Sequence, residues 1–550
     1  MGTLSVGSSH LLWRAPWITL GALFGLLLIA AAACERSVED LGDVEISLVL
    51  QAESMLRDFD LAYGEEDQVR YAEKFGDLQR DLILRTDPQG GPPRFDSLQV
   101  YPLVIAPMVS AVGLRGAAIT NAILLVFAAI AAVHRLGKRL GSVTPLFVAL
   151  LVFASVTYRS VFVVDPAIML FSFAVLAMSL TFRFEEPGSH DIGEMYREAP
   201  TSLPVGSNWL CIGLLIGLTI AFHPLYSVLL LPPAVSVPEG HRRAGLIALA
   251  VGAALALILV RPELGGGLVP AQLDAGLFSW NMLYLFVGRN VGLLPYFLPL
   301  VLTLGMTQGG EGRTTLWVSA LLGSVLFVIL MPYDFYGGPA AVGNRWVLPL
   351  TAALWFLPTR PFPRYWLGVT ALFAAPLMIP TWMAPSVDLV TPNEIYRHAS
   401  GRLHSWLPPE TSQEPIPNGG EVMGRGLWVR SLSGTAQPTS AGRWEVEGNE
   451  DIQLLVASPT PLASVYLQFG PQAEPELELR GGTLGNMVLA PDGAVGFRVD
   501  SLRRRALHPM WWSREKHSVY LLRMRMPQDQ PTIQTLTIRA FAQDIGGQQS

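Results

Sequence analysis

Apolar residues fall in long blocks over the first 382 positions of the chain. The blocks lie near 12–33, 115–134, 142–158, 161–182, 208–222, 225–237, 244–260, 292–308, 314–332, 345–358 and 365–382. A helix that crosses a bilayer needs about 20 apolar residues, so the longer blocks predict spanning helices. The shorter ones fit helices that are interrupted or line a cavity, where lipid does not demand full length. The count is about eleven spans. Between the first two blocks the apolar positions take a helical period. Ile46, Val49, Leu50, Met55, Leu56 and Phe59 predict an amphipathic helix over 46–59 lying on the membrane surface. A second such segment, 101–112, leads into the next span.

Beyond the last block the period shortens. Residues 384–423 are rich in proline and polar residues and read as a linker. From 424 onward, runs at 427–429, 452–456, 465–469, 477–479, 495–499, 519–524 and 533–538 mostly alternate, with Gly, Pro, Asn and Asp between them. Short alternating runs separated by turn residues predict an antiparallel sandwich. The expected fold class is a polytopic α-helical membrane protein over 1–383, with a first outer loop at 34–114, and a C-terminal all-β sandwich over 424–550.

Composition agrees with this division. Charged residues make up 15% of the 550 and hydrophobic ones 51%, against about 25% charged in a soluble protein. The net charge of -6 and the lack of a basic patch exclude a nucleic-acid partner. Two cysteines, Cys34 and Cys211, are too few for a disulfide framework. Ala31-Ala32-Ala33-Cys34 is similar to a lipoprotein cleavage site, but the apolar run before it is long for a signal core.

Charge also sets an orientation. Basic residues favour the cytoplasmic side, and they fall at His134-Arg135-Leu136-Gly137-Lys138-Arg139, at His241-Arg242-Arg243, and at Arg360 with Arg364. With eleven spans and a cytoplasmic N-terminus, all three lie inside. The segment 35–96 then lies outside, with sixteen Asp or Glu against seven Arg or Lys. The sandwich is outside as well, and the expected location is a bacterial inner membrane.

On that orientation the out-of-place polar residues gather on one face. They are Asp43 and Glu45 in Gly42-Asp43-Val44-Glu45, Asp165 before Pro166, His223 before Pro224, Arg261, Glu263, Arg289, Asn290, Asp334, Asn344 and Arg345. A carboxylate there can take a proton as general base. Arginine or histidine can hold a leaving phosphate. Asp43, Glu45 and Asp165 are also oxygen ligands of a kind that suits a divalent cation. Each has an ordinary role too: Asp165 as a helix cap, His223 as a turn residue, and the arginines as side chains that reach the interface.

The order of motifs adds a resemblance. A first span is followed by Gly42-Asp43-Val44-Glu45, then Leu56-Arg57-Asp58-Phe59-Asp60, then Tyr101-Pro102-Leu103-Val104-Ile105-Ala106-Pro107 before the second span. This order, with Gly343-Asn344-Arg345-Trp346 further on, resembles bacterial GT-C superfamily glycosyltransferases of the protein O-mannosyltransferase and aminoarabinose-transferase-like group, over residues 10–380. The resemblance implies an enzyme that takes a sugar from a polyprenyl-phosphate donor in the outer leaflet. It implies Asp43 as catalytic base, with Glu45 at the second acidic position. Relatives often have Asp and Glu adjacent, whereas Val44 intervenes here.

The expected catalytic residues are therefore Asp43 and Glu45. The expected substrate-binding residues are Asp165, His223, Arg289, Asn344 and Arg345. Partners are the lipid-linked sugar donor, an envelope glycan, lipid or protein acceptor, and membrane lipids. The alternative class is a polytopic transporter or lipid flippase without covalent chemistry, which inverted repeats would favour. None is evident by inspection. A third class is an assembly protein whose sandwich does the work, but anchoring needs far fewer spans.

Overall fold

A computed structural model of the chain describes residues 7–34, 43–58, 62–75, 100–182, 205–260, 275–288, 291–305, 311–331, 343–359 and 363–383, short pieces between them, and the strands within 420–542. It divides into two compact units. One comprises residues 1–268, 296–327 and 345–387. The other comprises 269–295, 328–344 and 388–550.

The first unit is helical. In chain order it begins with α1 (Gly7–Ala33), α2 (Asp43–Arg57), α3 (Glu65–Phe75) and α4 (Val100–Val112). Next come α5 (Arg115–Leu140), α6 (Thr144–Phe153), α7 (Thr157–Ser160) and α8 (Ala167–Thr181), followed by α9 (Val205–Phe222), α10 (Leu231–Ser236) and α11 (Arg242–Val260). Further along the chain, α12 (Ala275–Val287) and most of α13 (Leu293–Tyr296) fall in the second unit, whereas α14 (Leu300–Gly305), most of α15 (Glu311–Leu330), α16 (Leu348–Leu354) and α17 (Arg364–Met383) fall in the first.

Among the described residues, three stretches are long and apolar enough to cross a membrane: Arg115–Phe153, Glu239–Val260 and Arg313–Leu330. Six shorter apolar helices accompany them. Large apolar side chains remain exposed on these helices, among them Ile29, Phe127, Ile258, Leu259 and Leu372. Apolar faces of this extent are what lipid would cover.

Several expected spans are broken instead. The 161–182 block becomes helical only at Ala167, because Asp165-Pro166 starts it. The 292–308 block is two short helices on either side of Pro299, and 345–358 holds only α16. The basic segment 134–139 belongs to the end of α5, which runs to Leu140. Lys138 and Arg139 there complement the negative end of the helix dipole.

Helix α2 corrects a second expectation. It starts at Asp43, and residues 45–54 are buried on every face rather than on one stripe. Its polar residues Glu45, Ser47, Gln51, Glu53 and Ser54 lie in the interior, so α2 does not lie on a surface. Helix α3 docks on it through charge. Lys74 pairs with Glu53, and Arg70 pairs with both Asp58 and Asp67. The Gly64 N–H donates to the Asp67 carboxylate at 3.0 Å, which caps α3.

Helices α9 and α11 pack backbone to backbone. A Cβ built at Gly213 would lie 2.1 Å from the Leu249 carbonyl oxygen, and one at Gly252 would lie 2.2 Å from the Leu210 oxygen. Small residues at such seams let helices approach closely where lipid supplies no hydrophobic drive.

The second unit carries two antiparallel sheets. One has the order β10 (Thr483–Leu489), β11 (Val495–Asp500), β8 (Leu462–Phe469), β14 (Gln534–Ala542), β6 (Arg443–Val446), β5 (Gln437–Ser440). The other runs β12 (Arg504–Pro509), β13 (Lys516–Arg525), β7 (Asp451–Ser458), β4 (Leu427–Ser433), β3 (Gly420–Met423), with β9 (Glu478–Arg480) also on β13. Alternate residues are buried, as at Leu454, Val456 and Ser458 on β7 and at Tyr520 and Leu522 on β13. The Leu462 N–H of β8 donates to the Tyr520 hydroxyl of β13 at 2.9 Å, which ties one sheet to the other.

Candidate functional site

The turn at 161–166 between α7 and α8 is met by polar side chains from α2, from α5 and from the segment just before α16. Its shape is set by Asn121, a fully buried amide in the middle of apolar α5. The Asn121 amide nitrogen lies 3.2 Å from the Val161 carbonyl, 3.1 Å from the Val163 carbonyl and 3.2 Å from the Tyr101 hydroxyl. The Asp165 N–H closes back on the Val163 oxygen at 2.9 Å. Buried carbonyls require donors, and here one side chain supplies two of them.

Glu45 meets this turn from α2. Its Oε1 accepts the Val164 N–H at 2.8 Å. Arg36 grips the same carboxylate through both terminal nitrogens, at 2.5 Å and 2.8 Å. Both side chains are largely buried, so the pair is a charge-assisted fork in a low-dielectric setting. Asp43 opens the same helix, and its side chain lies outside the described residues.

Asp165 serves two partners. Oδ1 accepts the Ala167 N–H at 2.7 Å and caps α8, while Oδ2 accepts Arg345 Nη1 at 2.7 Å. Asp165 thus caps a helix and holds an arginine at the same time. Arg345 follows a tight turn in which Gly343 has φ 82° and Asn344 φ 55°. That left-handed region suits glycine and is tolerated by asparagine. Asn344 is itself buried. The Arg345 guanidinium lies over the Trp346 ring at 5.4 Å. Its side chain is about a third exposed, and its buried Nε has no hydrogen-bond partner among the described residues.

His223 stands behind Trp346. Its ring is 5.5 Å from Trp346, 4.9 Å from Phe327 and 6.2 Å from Tyr226. Nδ1 accepts the Leu225 N–H at 3.3 Å, which caps the following turn and leaves the neutral ring's proton on Nε2. The Tyr226 hydroxyl donates to the Trp346 carbonyl at 3.0 Å and fixes the backbone beside Arg345. The structure therefore brings together Glu45, Asp165 and Arg345, with His223 one aromatic layer away. Arg261, Glu263, Arg289, Asn290 and Asp334 lie outside the described residues.

Sequence reasoning missed Arg36, Asn121, Tyr226 and Trp346 as parts of this cluster. Asn121 carried a usable signal, since a lone amide within an apolar span is costly unless it has partners. Arg36 was one base in an acidic run and gave none. Among the described residues no three His, Cys, Asp or Glu side chains gather to hold a metal ion. Glu45 and Asp165 are each neutralised by an arginine, a donor set that does not fit a divalent cation.

No protein-family model matches the chain, and no curated protein matches it. A solved structure to which the chain is similar is the crystal structure of ArnT from Cupriavidus metallidurans bound to undecaprenyl phosphate. That similarity has 14% sequence identity, covers 72% of this chain and 69% of that one, and has a TM-score of 0.37.

Proposed function

We propose that the protein is a membrane glycosyltransferase that moves a sugar from a polyprenyl-phosphate donor to an acceptor outside the cytoplasm. The acceptor is an envelope glycan, lipid or protein. The observation that carries this reading is Arg345. Asp165 fixes one terminal nitrogen of its guanidinium, and the side chain remains partly exposed beside Trp346 with its Nε unsatisfied. A pre-aimed guanidinium with donors to spare is suited to a phosphate oxygen. The motif order from Gly42 to Pro107 supports the same class.

In this mechanism Asp43 takes the proton of an acceptor hydroxyl. The hydroxyl oxygen attacks the anomeric carbon as the bond from that carbon to the phosphate oxygen breaks. The electron pair passes to the phosphate, whose charge Arg345 offsets. Direct displacement inverts the anomeric centre. His223 and Arg289 serve the donor side, Glu45 with Arg36 holds the turn that carries Asp165, and Asn344 shapes the turn before Arg345. The chain lies in a bacterial inner membrane with its N-terminus cytoplasmic. Its C-terminal sandwich lies outside and meets the acceptor.

The test is sugar transfer by the purified full-length protein. It uses a panel of polyprenyl-phosphate sugars and envelope acceptors, with Asp43→Asn and Arg345→Ala beside the parent. Both variants are expected to fold and to lose transfer. Undiminished transfer in Arg345→Ala removes the phosphate role. Movement of labelled lipid across a vesicle without any new glycosidic bond would replace the enzyme by a transporter.

A further inference from the structure

We infer that the indole N–H of Trp346 is a second ligand for the phosphate group of the lipid carrier, a role that rests on Arg345 being the first. The indole has little freedom to turn. Phe327 stacks on it at 5.9 Å with 10° between the ring planes, and the Arg345 guanidinium lies over it at 5.4 Å. The His223 ring leans on it at 5.5 Å. The backbone is held as well, because the Tyr226 hydroxyl donates to the Trp346 carbonyl at 3.0 Å. With ring and backbone both fixed, the N–H points in one direction.

That N–H is buried and has no hydrogen-bond partner among the described residues, and the same is true of the neighbouring Arg345 Nε. A buried donor without an acceptor is costly. Two of them on adjacent residues mark a place where an acceptor belongs.

The donors also select the class of ligand. Indole and guanidinium donate and cannot accept. His223 has Nδ1 taken by the Leu225 N–H, so its Nε2–H donates too. Both Asp165 oxygens are engaged, one by the Ala167 N–H and one by Arg345. A sugar hydroxyl needs an acceptor for its own proton, whereas a phosphate oxygen needs donors alone. The stacked indole offers an edge rather than a platform for a sugar ring. A phosphate group is therefore what this edge fits.

The full-length protein in mild detergent is titrated with a polyprenyl phosphate, with the polyprenol of the same length and with inorganic phosphate. Binding is read by native mass spectrometry and by thermal shift. The polyprenyl phosphate is expected to bind far more tightly than either of the others. Trp346→Phe keeps an aromatic ring in the stack and removes the N–H, and it should bind the polyprenyl phosphate about tenfold more weakly. Trp382→Phe, which removes an indole N–H that donates to the Phe153 carbonyl of α6, is the control and should bind like the parent. If Trp346→Phe does not fold, benzothienylalanine at position 346, with sulfur in place of the N–H, is read in the same way. Parent-like affinity in the Trp346 variant, or an equal loss in the control, would overturn the indole as a ligand. Equal binding of polyprenol or of inorganic phosphate would overturn the lipid phosphate as its occupant. Affinity lost in Arg345→Ala but kept in Trp346→Phe removes the indole alone, whereas affinity kept in Arg345→Ala removes the phosphate role of the arginine as well.

Discussion

Glu45 and Asp165 are joined through a single peptide unit. The Val164 N–H donates to Glu45, and the carboxylate of the next residue holds Arg345. Two ion pairs from distant parts of the chain therefore share one short piece of backbone. Neighbours linked in this way do not contribute independently. A double-mutant cycle of Glu45→Gln and Asp165→Asn should show a coupling of about 0.5–3 kcal/mol in the stability of the detergent-solubilised protein. Additive effects would mean that the turn transmits nothing.

The Arg36–Glu45 pair should be expensive to break from one side. Arg36→Met leaves a buried carboxylate without its partner, at a cost of about 3–5 kcal/mol. Replacing both residues, Arg36→Met with Glu45→Gln, should restore most of the stability, because the uncompensated charge is gone and the amide oxygen still accepts the Val164 N–H. Thermal unfolding of the three variants measures this. Equal melting of the single and double variants would show that the pair does little for folding.

Asn121→Leu should strand the Val161 and Val163 carbonyls, at about 1–3 kcal/mol each. Asn121→Asp should be at least as damaging, since an ionised carboxylate cannot donate to either oxygen. Sugar transfer should fall together with stability, because the displaced turn no longer aims Asp165 at Arg345. A fully active Asn121→Leu protein would separate the turn from the chemistry.

The contact between α2 and α3 should loosen in acid. The hydrogen bond from Arg70 holds the Asp58 carboxyl below its ordinary value of 3.8. A depressed folded pKa adds stability that is present above the unfolded value and is lost as pH falls through the folded one. Hydrogen-exchange protection over 65–75, corrected for the intrinsic pH dependence of exchange, should therefore be high near neutral pH and should fall below about pH 4. Arg70→Met should exchange faster near neutrality and lose most of that acid dependence. An unchanged profile in the variant would exclude this pair as the fastening.

Gly252→Ala should reduce the yield of monodisperse protein more than a surface glycine substitution such as Gly240→Ala. The new methyl would meet the Leu210 carbonyl, whereas nothing lies within 4 Å of Gly240. Overpacking costs about 1–3 kcal/mol where side chains can yield, and here the obstacle is backbone. Equal yields would mean that the two helices can separate without loss.

The sequence made the helical body and the central strands legible, because both rest on apolar periodicity. Each of the seven expected strand runs lies within or overlaps a strand, among them β7, β8, β13 and β14. The missed strands are β3, β5, β6, β10 and β12, and four of these are sheet edges. Edge strands are kept short and polar to avoid pairing with other chains, so they carry little period to read. The burial of α2 was illegible for a related reason. Gln51, Glu53 and Ser54 look like a solvent face until Lys74 and the rest of the fold arrive to meet them. In the candidate site, Asp165 and Arg345 stood out as polar residues in apolar surroundings, but their pairing spans 180 positions and no local pattern encodes it.

The glycine seam between α9 and α11 keeps a constant register. Trp209 meets Gly245, Gly213 meets Leu249 and Gly217 meets Ala253, each pair 36 residues apart. The two helices therefore run in the same direction, and the stretch from His223 to His241 doubles back between their ends. With their backbones in contact they have no slack to slide, so they act mechanically as one strut. His223 sits at the tip of that strut, directly after Phe222. Any opening that admits a long lipid must swing the strut as a whole or move the partners that face it, Phe327 and Trp346.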